Sequence, residues 1–260
     1  MVEPNKLALA IFLSTITVTA CGPRRVALPS GPGTPASDYA QAMTAARAAC
    51  EGVRTLQAEL GLSGRAAGQR MRGRVHAGFV PGALRLEGVA PFGSPVFILV
   101  ADGLKGTLLL LRDRRVLLDA PPADILHALV GIRLGPDDLR ALLTGCVKAA
   151  SEPAAGRAHG PDWMTVDLAS GGTISLHRER GAWRILAGRY EGLEIDYTAF
   201  RGERPSQVVL RGKDLDLVLA VDQIEINGEL PRERLVAVTI PPGVSPLTLD
   251  ELRRAGPLGQ

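Results

Sequence analysis

The sequence predicts an α+β fold made mainly of antiparallel strands, roughly ten or eleven of them, with a few short helices. Most of the chain after Arg70 alternates apolar and polar residues with the two-residue period of strands that have one solvated face. Shorter segments carry apolar residues at three- and four-residue spacing instead, which is typical of amphipathic helices. No internal repeat is visible, so a single domain is expected.

The N-terminus carries an apolar run, Leu7–Ala20, that ends at Cys21. The run is short for a membrane span and typical of a secretory signal, and the small residues before Cys21 resemble a lipoprotein signal in which the cysteine is acylated. We therefore expect a signal peptide over residues 1–20, a flexible tether over 21–36 and a folded domain over 37–260. The alternative for the apolar run is a buried helix or a plain membrane anchor.

Charge and cysteine content narrow the function classes. The net charge of +3 is small for 260 residues and aromatic residues make up 4%, so nucleic acid is not an expected partner. If Cys21 is lipidated, Cys50 and Cys146 remain in a compartment where disulfides persist. A disulfide and two free buried thiols are both consistent with the sequence at this point.

The first elements in the chain are a helix and a set of strands. Apolar residues from Tyr39 to Leu56 recur at helical spacing, with Ser37 placed to cap the first turn. The segment Arg70–Ala77 then alternates as a strand, and Val96–Ala101 and Thr107–Leu111 are apolar on both faces, which predicts that they are covered on both sides. A hairpin turn at Asp102–Gly103 would join these two strands.

Two short amphipathic helices should interrupt the strands. One follows Pro121–Pro122 and stops at Gly131, and the other begins at Gly135–Pro136 and ends before Gly145. Helices this short gain little stability alone, so their leucines must dock on another surface.

Strands resume at Trp163 and continue past Asn227. Within the last of them the apolar positions change from odd to even numbers, which predicts either a bulge at Asp222–Gln223 or a turn between two strands. A final strand over Leu235–Ile240 and a helix opened by the capping-box sequence Thr248–Glu251 complete the expected elements.

The sequence offers no recognisable catalytic or metal-binding motif. The four histidines are far apart, and no zinc-ligand spacing, nucleophile elbow or phosphate-binding loop is present. We therefore predict no catalytic residue, no metal site and no cofactor.

One loop has an unusual composition. Pro91 and Phe92 lie between two expected strands, followed by Gly93 and a second proline. Because prolines keep the backbone extended and block further pairing, Phe92 is expected at the tip of the loop, where it would contact a membrane or a partner. The alternative is a phenylalanine that folds back into the core.

Taken together, the lipoprotein signal, the first helix, the strand pair joined by Ala90–Gly93 and the helical segment Leu126–Gly145 resemble LolB, an outer-membrane lipoprotein receptor, and the wider lipoprotein carrier superfamily. The resemblance implies a curved, incomplete β-barrel with short helices plugging an apolar concave face. It also implies an outer-membrane lipoprotein that faces the periplasm, and Gly22 after the lipidated cysteine is the residue type associated by resemblance with export there.

The implied partners are the acyl chains of lipoproteins or lipids, a periplasmic carrier protein, and the membrane through the N-terminal lipid; the protein is expected to be a monomer. A structural or scaffold lipoprotein of an envelope assembly and a lipid-modifying enzyme are the alternatives. Alternation suggests nine residues that line the cavity: Leu84, Leu86, Val96, Ile98, Leu110, Leu126, Leu129, Leu142 and Ile174.

Overall fold

A single large β-sheet forms the body of the protein. The computed structural model describes residues 25–90, 95–147 and 152–255. The strands are β1 (Thr34–Pro35), β2 (Leu56–Ala66), β3 (Gln69–Val80), β4 (Ala83–Val89), β5 (Pro95–Asp102), β6 (Lys105–Leu110), β7 (Arg115–Ala120), β8 (Pro153–Ala158), β9 (Trp163–Leu168), β10 (Thr173–Glu179), β11 (Ala182–Tyr190), β12 (Leu193–Arg201), β13 (Arg204–Gly212), β14 (Leu215–Ile226) and β15 (Ser245–Pro246).

The sheet order is β1-β8-β9-β10-β11-β12-β13-β14-β2-β3-β4-β5-β6-β7-β15. All neighbours pair antiparallel except β15, which runs parallel to β7. The two edge strands do not pair with each other, so the curved sheet is an incomplete barrel. The predicted fold class is confirmed.

The described residues contain 15 strands, more than the sequence analysis predicts. The strand β2 was missed because its first residue, Leu56, continues the helical spacing of the preceding segment. In the structure the helix ends at Glu51, and Leu56 instead begins β2 opposite Phe79 of β3.

The helices are α1 (Tyr39–Glu51), α2 (Pro122–Val130), α3 (Pro136–Thr144), α4 (Arg232–Val236) and α5 (Leu249–Ala255). The two central helices begin and end where the sequence predicts, each stopping at a glycine with positive φ, Gly131 or Gly145. The capping box that opens α5 is also present. The predicted strand over Leu235–Ile240 is wrong, because its first residues belong to α4 and the rest form no strand.

Two local predictions along the strands are confirmed. The register of β14 against β2 shifts between Val221 and Gln223, which is the predicted bulge. The turn between β5 and β6 contains Gly103 with φ +61°. Both predictions rest on local patterns. One is the shift of the apolar positions from odd to even residue numbers, and the other is a glycine in a turn.

One face of the sheet, called here the concave face, packs against α1, α2 and α3 and carries the main hydrophobic core. The opposite face is called the outer face. Between β4 and β7 the outer face is also apolar, and Val100 and Leu109 there are buried. Near these residues α4 contacts β3, β4 and β5, and Arg85 donates a hydrogen bond to the carbonyl of Ala237, so the expectation of a strand covered on both sides is confirmed for β5.

Elsewhere the outer face carries charged side chains in matched pairs. Asp196 is fully buried between two arginines: Arg189 Nη2 donates to its Oδ1 at 2.6 Å and Arg211 Nη1 to its Oδ2 at 2.7 Å. On β8 and β9, Arg157 and Asp167 form a similar pair at 2.7 Å.

The sheet includes two residues that the sequence analysis places in the tether. Thr34 and Pro35 pair with Ala158 and Arg157 of β8. The predicted signal peptide, residues 1–20, and the lipidation site, Cys21, lie outside the described residues. No helix among the described residues is long and apolar enough to cross a membrane.

Candidate functional site

The concave face brings together most of the predicted lining residues. Leu84, Leu110, Leu126, Leu129, Leu142 and Ile174 are buried members of one hydrophobic cluster, and Leu86 packs against it half-buried. They come from strands and helices far apart in the sequence.

The prediction that Val96 and Ile98 line the concave face is wrong, because neither residue belongs to this cluster. In β5 the residues that alternate with them, Phe97 and Leu99, pair with concave-face neighbours, so Ile98 lies on the outer face. Val96 sits where the β4–β5 register shifts. Because β5 is apolar on both faces, alternation alone gave no sign of which set faces inward.

The centre of the concave face is closed. Leu84, Leu99, Leu108 and Ile125 each have a relative exposure of 0%. A side chain that a water-sized probe cannot reach borders no void of that size, so no empty acyl-sized cavity touches these residues. Around them the expected apolar cavity is filled by the protein's own side chains, whereas Leu62, Val75, Leu86 and Phe97 pack against the same cluster and are only partly buried.

Two cavities lie elsewhere, both bordered by residues of the outer face. One, of about 520 Å³, lies beside α4 and is bordered by Glu59, His76, Arg85 and Glu87 together with Leu235. The other, of about 290 Å³, lies at the start of the described chain. Charged side chains dominate the first cavity, and neither cavity is bordered by any of the nine predicted lining residues.

Helix α2 covers the concave face at β6 and is held there by apolar packing. Ile125 approaches Gly106 so closely that a Cβ on that glycine would lie 2.8 Å from the Ile125 Cδ1 atom. Leu126 and Leu129 extend the same buried face. Among the described residues, the polar contacts of α2 are local ones, such as the ion pair between Asp124 and Arg133 just after the helix.

Helix α3 is tied to its surroundings at both ends. Cys146, just after the helix, forms a disulfide with Cys50 at the end of α1, with 6.1 Å between their Cα atoms. The hydroxyl of Tyr197 donates to the Cys146 carbonyl at 3.1 Å. At the other end, the backbone N–H of Gly82 donates to Asp137 Oδ1 at 3.3 Å, and Arg140 donates to the carbonyl of Val53.

Two tyrosines near α3 have perturbed acidities. Burial raises the pKa of Tyr197 well above its ordinary value, with a smaller contribution from Tyr190. Burial also raises the pKa of Tyr190 to about 12, assisted by the nearby carboxylates of Asp138 and Glu191. Both hydroxyls therefore stay protonated at neutral pH, and the Tyr197 hydroxyl remains a donor to Cys146.

The sequence analysis missed several residues of the concave face. Phe79, Phe97, Leu99 and Leu108 face inward beside the predicted set. These residues could be found only from the residues they pair with in the neighbouring strands. If Leu84 faces inward, its partners in the register, Phe79 and Ala101, face inward as well. That register follows from the turns on each side of the strands and is not visible within a single strand.

The predicted membrane-contacting residues, Pro91 and Phe92, lie outside the described residues. Their flanking strands are described, and Val89 at the end of β4 pairs with Arg74 of β3. Among the described residues, no group of three or more His, Cys, Asp or Glu side chains is arranged to hold a metal ion.

Neither a family model nor a curated protein matches the sequence. The structure is similar to that of a LolA superfamily protein from Nitrosomonas europaea, with 9% sequence identity and a TM-score of 0.52, over 75% of this chain and 97% of that one. A putative outer membrane lipoprotein-sorting protein domain from Vibrio parahaemolyticus scores 0.48 at 9% identity, covering 75% of this chain and 94% of its own. Lipoprotein LppX from Mycobacterium tuberculosis scores 0.33 at 8% identity, with 74% and 96% covered.

At such low identity the likeness concerns the fold alone. The incomplete barrel with its covering helices is shared with the LolA superfamily protein from Nitrosomonas europaea. The likeness does not single out LolB.

Proposed function

We propose that this protein is an outer-membrane lipoprotein, anchored through Cys21, that receives acyl chains on its concave face and assists the insertion of lipoproteins or lipids into the outer membrane. The observation that carries the proposal is the concave face itself, which is apolar from β9 to β6 and is covered by helices. The fold shared with a LolA superfamily protein supports it. A periplasmic carrier would deliver the cargo, and no cofactor or enzymatic step is part of the proposal.

Because the concave face is closed around Leu99 and Leu108, an acyl chain must displace a helix to reach them. We expect α2 to be the helix that moves, since apolar contacts hold it to the sheet and its other neighbour is the short helix α5. Helix α3 is fixed by the disulfide between Cys50 and Cys146 and by hydrogen bonds at both of its ends. The acyl site therefore lies under α2, against Leu99 and Leu108 of β5 and β6.

The free energy gained when an acyl chain is buried is comparable to the free energy lost when the apolar side chains of α2 are exposed. Exposing Ile125, Leu126 and Leu129 costs about 1.5–3 kcal/mol each, or about 5–9 kcal/mol together. An acyl chain of about 15 methylenes gains about 12 kcal/mol when it is buried, at about 0.8 kcal/mol per methylene. For an acyl chain that leaves water, exchange of the helix for the chain is therefore favourable without nucleotide or metal. A chain handed over by a carrier gains only the difference between the two apolar sites.

The test compares two alanine variants in the chain from Gly22 onward, which contains the whole core from Ala42 to Leu252. Ile125→Ala on α2 and Leu142→Ala on α3 remove side chains that are 0% and 2% exposed. Each should lower the free energy of unfolding by about 2–5 kcal/mol. Only Ile125→Ala should increase the affinity for a fluorescent long-chain acyl probe, because it lowers the cost of opening α2.

Equal gains in probe affinity in both variants would show that general loosening admits the probe, and the entry route under α2 would be wrong. Mass spectrometry should also find endogenous lipid in the purified protein. If no lipid is found and neither the wild type nor Ile125→Ala takes up the probe, acyl binding itself is refuted.

The role proposed for Phe92 needs a separate measurement. Phe92→Glu should abolish transfer of a fluorescent lipid into vesicles while the affinity for the acyl probe is unchanged, because a carboxylate does not enter the bilayer. Leu104→Glu is the matched control: this residue is 87% exposed in the turn at the other end of β5. Equal transfer by the wild type and Phe92→Glu would remove the membrane-contacting role.

A scaffold lipoprotein of an envelope assembly is the second candidate, and the filled interior is the observation that favours it. A scaffold would use the sheet as a docking surface and would carry no lipid. Purification with a stable protein partner, together with a lipid-free interior, would support this reading against the first.

A further inference from the structure

Four arginines form an unneutralised surface on the outer face of the β2–β3 hairpin. Arg65, Arg70, Arg72 and Arg74 are all exposed, and together they are called the arginine surface. They lie on the other face of the sheet from their neighbours Met71 and Ala66, which are buried on the concave face. Within the described part of the chain, none of the four makes an ion pair.

Several other arginines of the outer face are paired with carboxylates, whereas Arg201, opposite Arg204 in the register, donates to the carbonyls of Val221 and Asp222. Arg189 and Arg211 share Asp196, and Arg157 pairs with Asp167. The carboxylate of Asp216, which lies opposite Arg65 in the register, is itself 3.8 Å from Arg211 Nε.

The arrangement of the hairpin brings like charges together. Arg65 is directly opposite Arg70 in the β2–β3 register, and like charges in directly opposed positions destabilise an antiparallel pair. Arg72 and Arg74 follow on the same strand and face, at about 7 Å intervals. A surface of anions would relieve this repulsion, and the planar guanidinium fork is suited to phosphate oxygens.

We propose that the arginine surface binds the phosphate headgroups of an anionic bilayer. The position of the N-terminus favours a bilayer, rather than another anionic partner, as the ligand of the arginine surface. The first described residues, Arg25 and Val26, border a cavity with His177 and Arg184, which the register places on the outer face, and with the core residues Tyr197 and Phe200. An extended chain from Arg25 back to Cys21 reaches at most about 14 Å, so a lipid on Cys21 would hold the outer face against the membrane.

The arginine surface and this attachment point share the outer face, about four strand spacings or 19 Å apart around the sheet. Contact at both places would leave the concave face and α2 directed away from the lipid. The choice of occupant rests on the proposed lipidation of Cys21, but headgroup binding requires neither acyl entry under α2 nor the Phe92 loop.

The test measures vesicle binding by the chain from Gly22 onward, so that no N-terminal lipid contributes. Vesicles of equimolar phosphatidylglycerol and phosphatidylcholine are compared with vesicles of phosphatidylcholine alone, at low and raised salt. The wild type should sediment with the anionic vesicles, and added salt should release it. The double variant Arg70→Glu/Arg72→Glu should lose at least about 25-fold in affinity, at about fivefold per arginine.

The matched control is Arg253→Glu/Arg254→Glu, which makes the same change in net charge at two exposed residues of α5. Its affinity should change by less than about fivefold. The first variant should also keep its melting temperature, because a glutamate at position 70 faces Arg65. Absence of wild-type binding to anionic vesicles, or equal losses in the two variants, would overturn the proposal, and acyl-probe uptake would remain a separate result.

Discussion

The bridge between Cys50 and Cys146 has a consequence for stability that can be calculated. The two cysteines are 96 residues apart in the sequence, so the disulfide closes a loop that spans a large part of the chain. Chain-entropy arguments give about 4.7 kcal/mol for a closed loop of about 100 residues. For a protein of this size, that corresponds to a fall of about 10–20 °C in melting temperature when the bridge is removed.

The measurement is urea and thermal unfolding of the chain from Gly22 onward, with and without a reducing agent. In this form Cys50 and Cys146 are the remaining cysteines, because the sequence contains 3 and Cys21 is absent. The double variant Cys50→Ser/Cys146→Ser serves as the control for reduction and should match the reduced wild type. Reducing agent should have no further effect on this variant.

Two results would refute the reasoning. Titration of two free thiols in the denatured, unreduced protein would show that the bridge does not form. A loss of less than about 1 kcal/mol on reduction would show that contacts other than the covalent link already restrict the unfolded chain or that the bridge strains the folded one. In the first case α3 would lose its covalent attachment to α1, and the argument that α2 moves in its place would weaken.

Two further predictions concern charged residues. Asp196→Ala should lower the free energy of unfolding by about 3 kcal/mol or more, because it leaves Arg189 and Arg211 without their buried partner. Glu194→Gln, at a half-exposed position, should lower it by less than about 1 kcal/mol. Equal losses for the two variants in urea unfolding would contradict this. Hydrogen bonds from Thr248 and Arg115 lower the pKa of Glu251 from 4.5 to about 2. Its stabilising contribution is therefore fully present above pH 4.5 and is lost as the pH falls towards 2, and an NMR titration midpoint near 4.5 would refute the capping role.

The sequence predicted well those features that depend on neighbouring residues. The ends of α2 and α3 follow from proline at the start and glycine with positive φ after the end. The bulge in β14 follows from the shift of apolar positions from odd to even residue numbers within one strand. The capping box of α5 follows from two residues three positions apart, Thr248 and Glu251. In each case the physical cause lies within one turn of helix or a few residues of strand.

Features that depend on residues far apart in the sequence were decided by the tertiary structure. Alternation could not tell that Phe97 faces inward and Ile98 outward, because that choice depends on the register with β4 and β6. The pairing of the two cysteines depends on where α1 and α3 meet on the sheet.

The sequence by itself determined that this chain forms a mostly antiparallel sheet with short apolar helices that must be covered. Only the tertiary structure decided that those helices fill the concave face, and that four arginines meet without partners on the outer one. The physical reason is that side-chain pattern specifies which surfaces are apolar or charged, whereas burial and pairing are set by long-range register and packing.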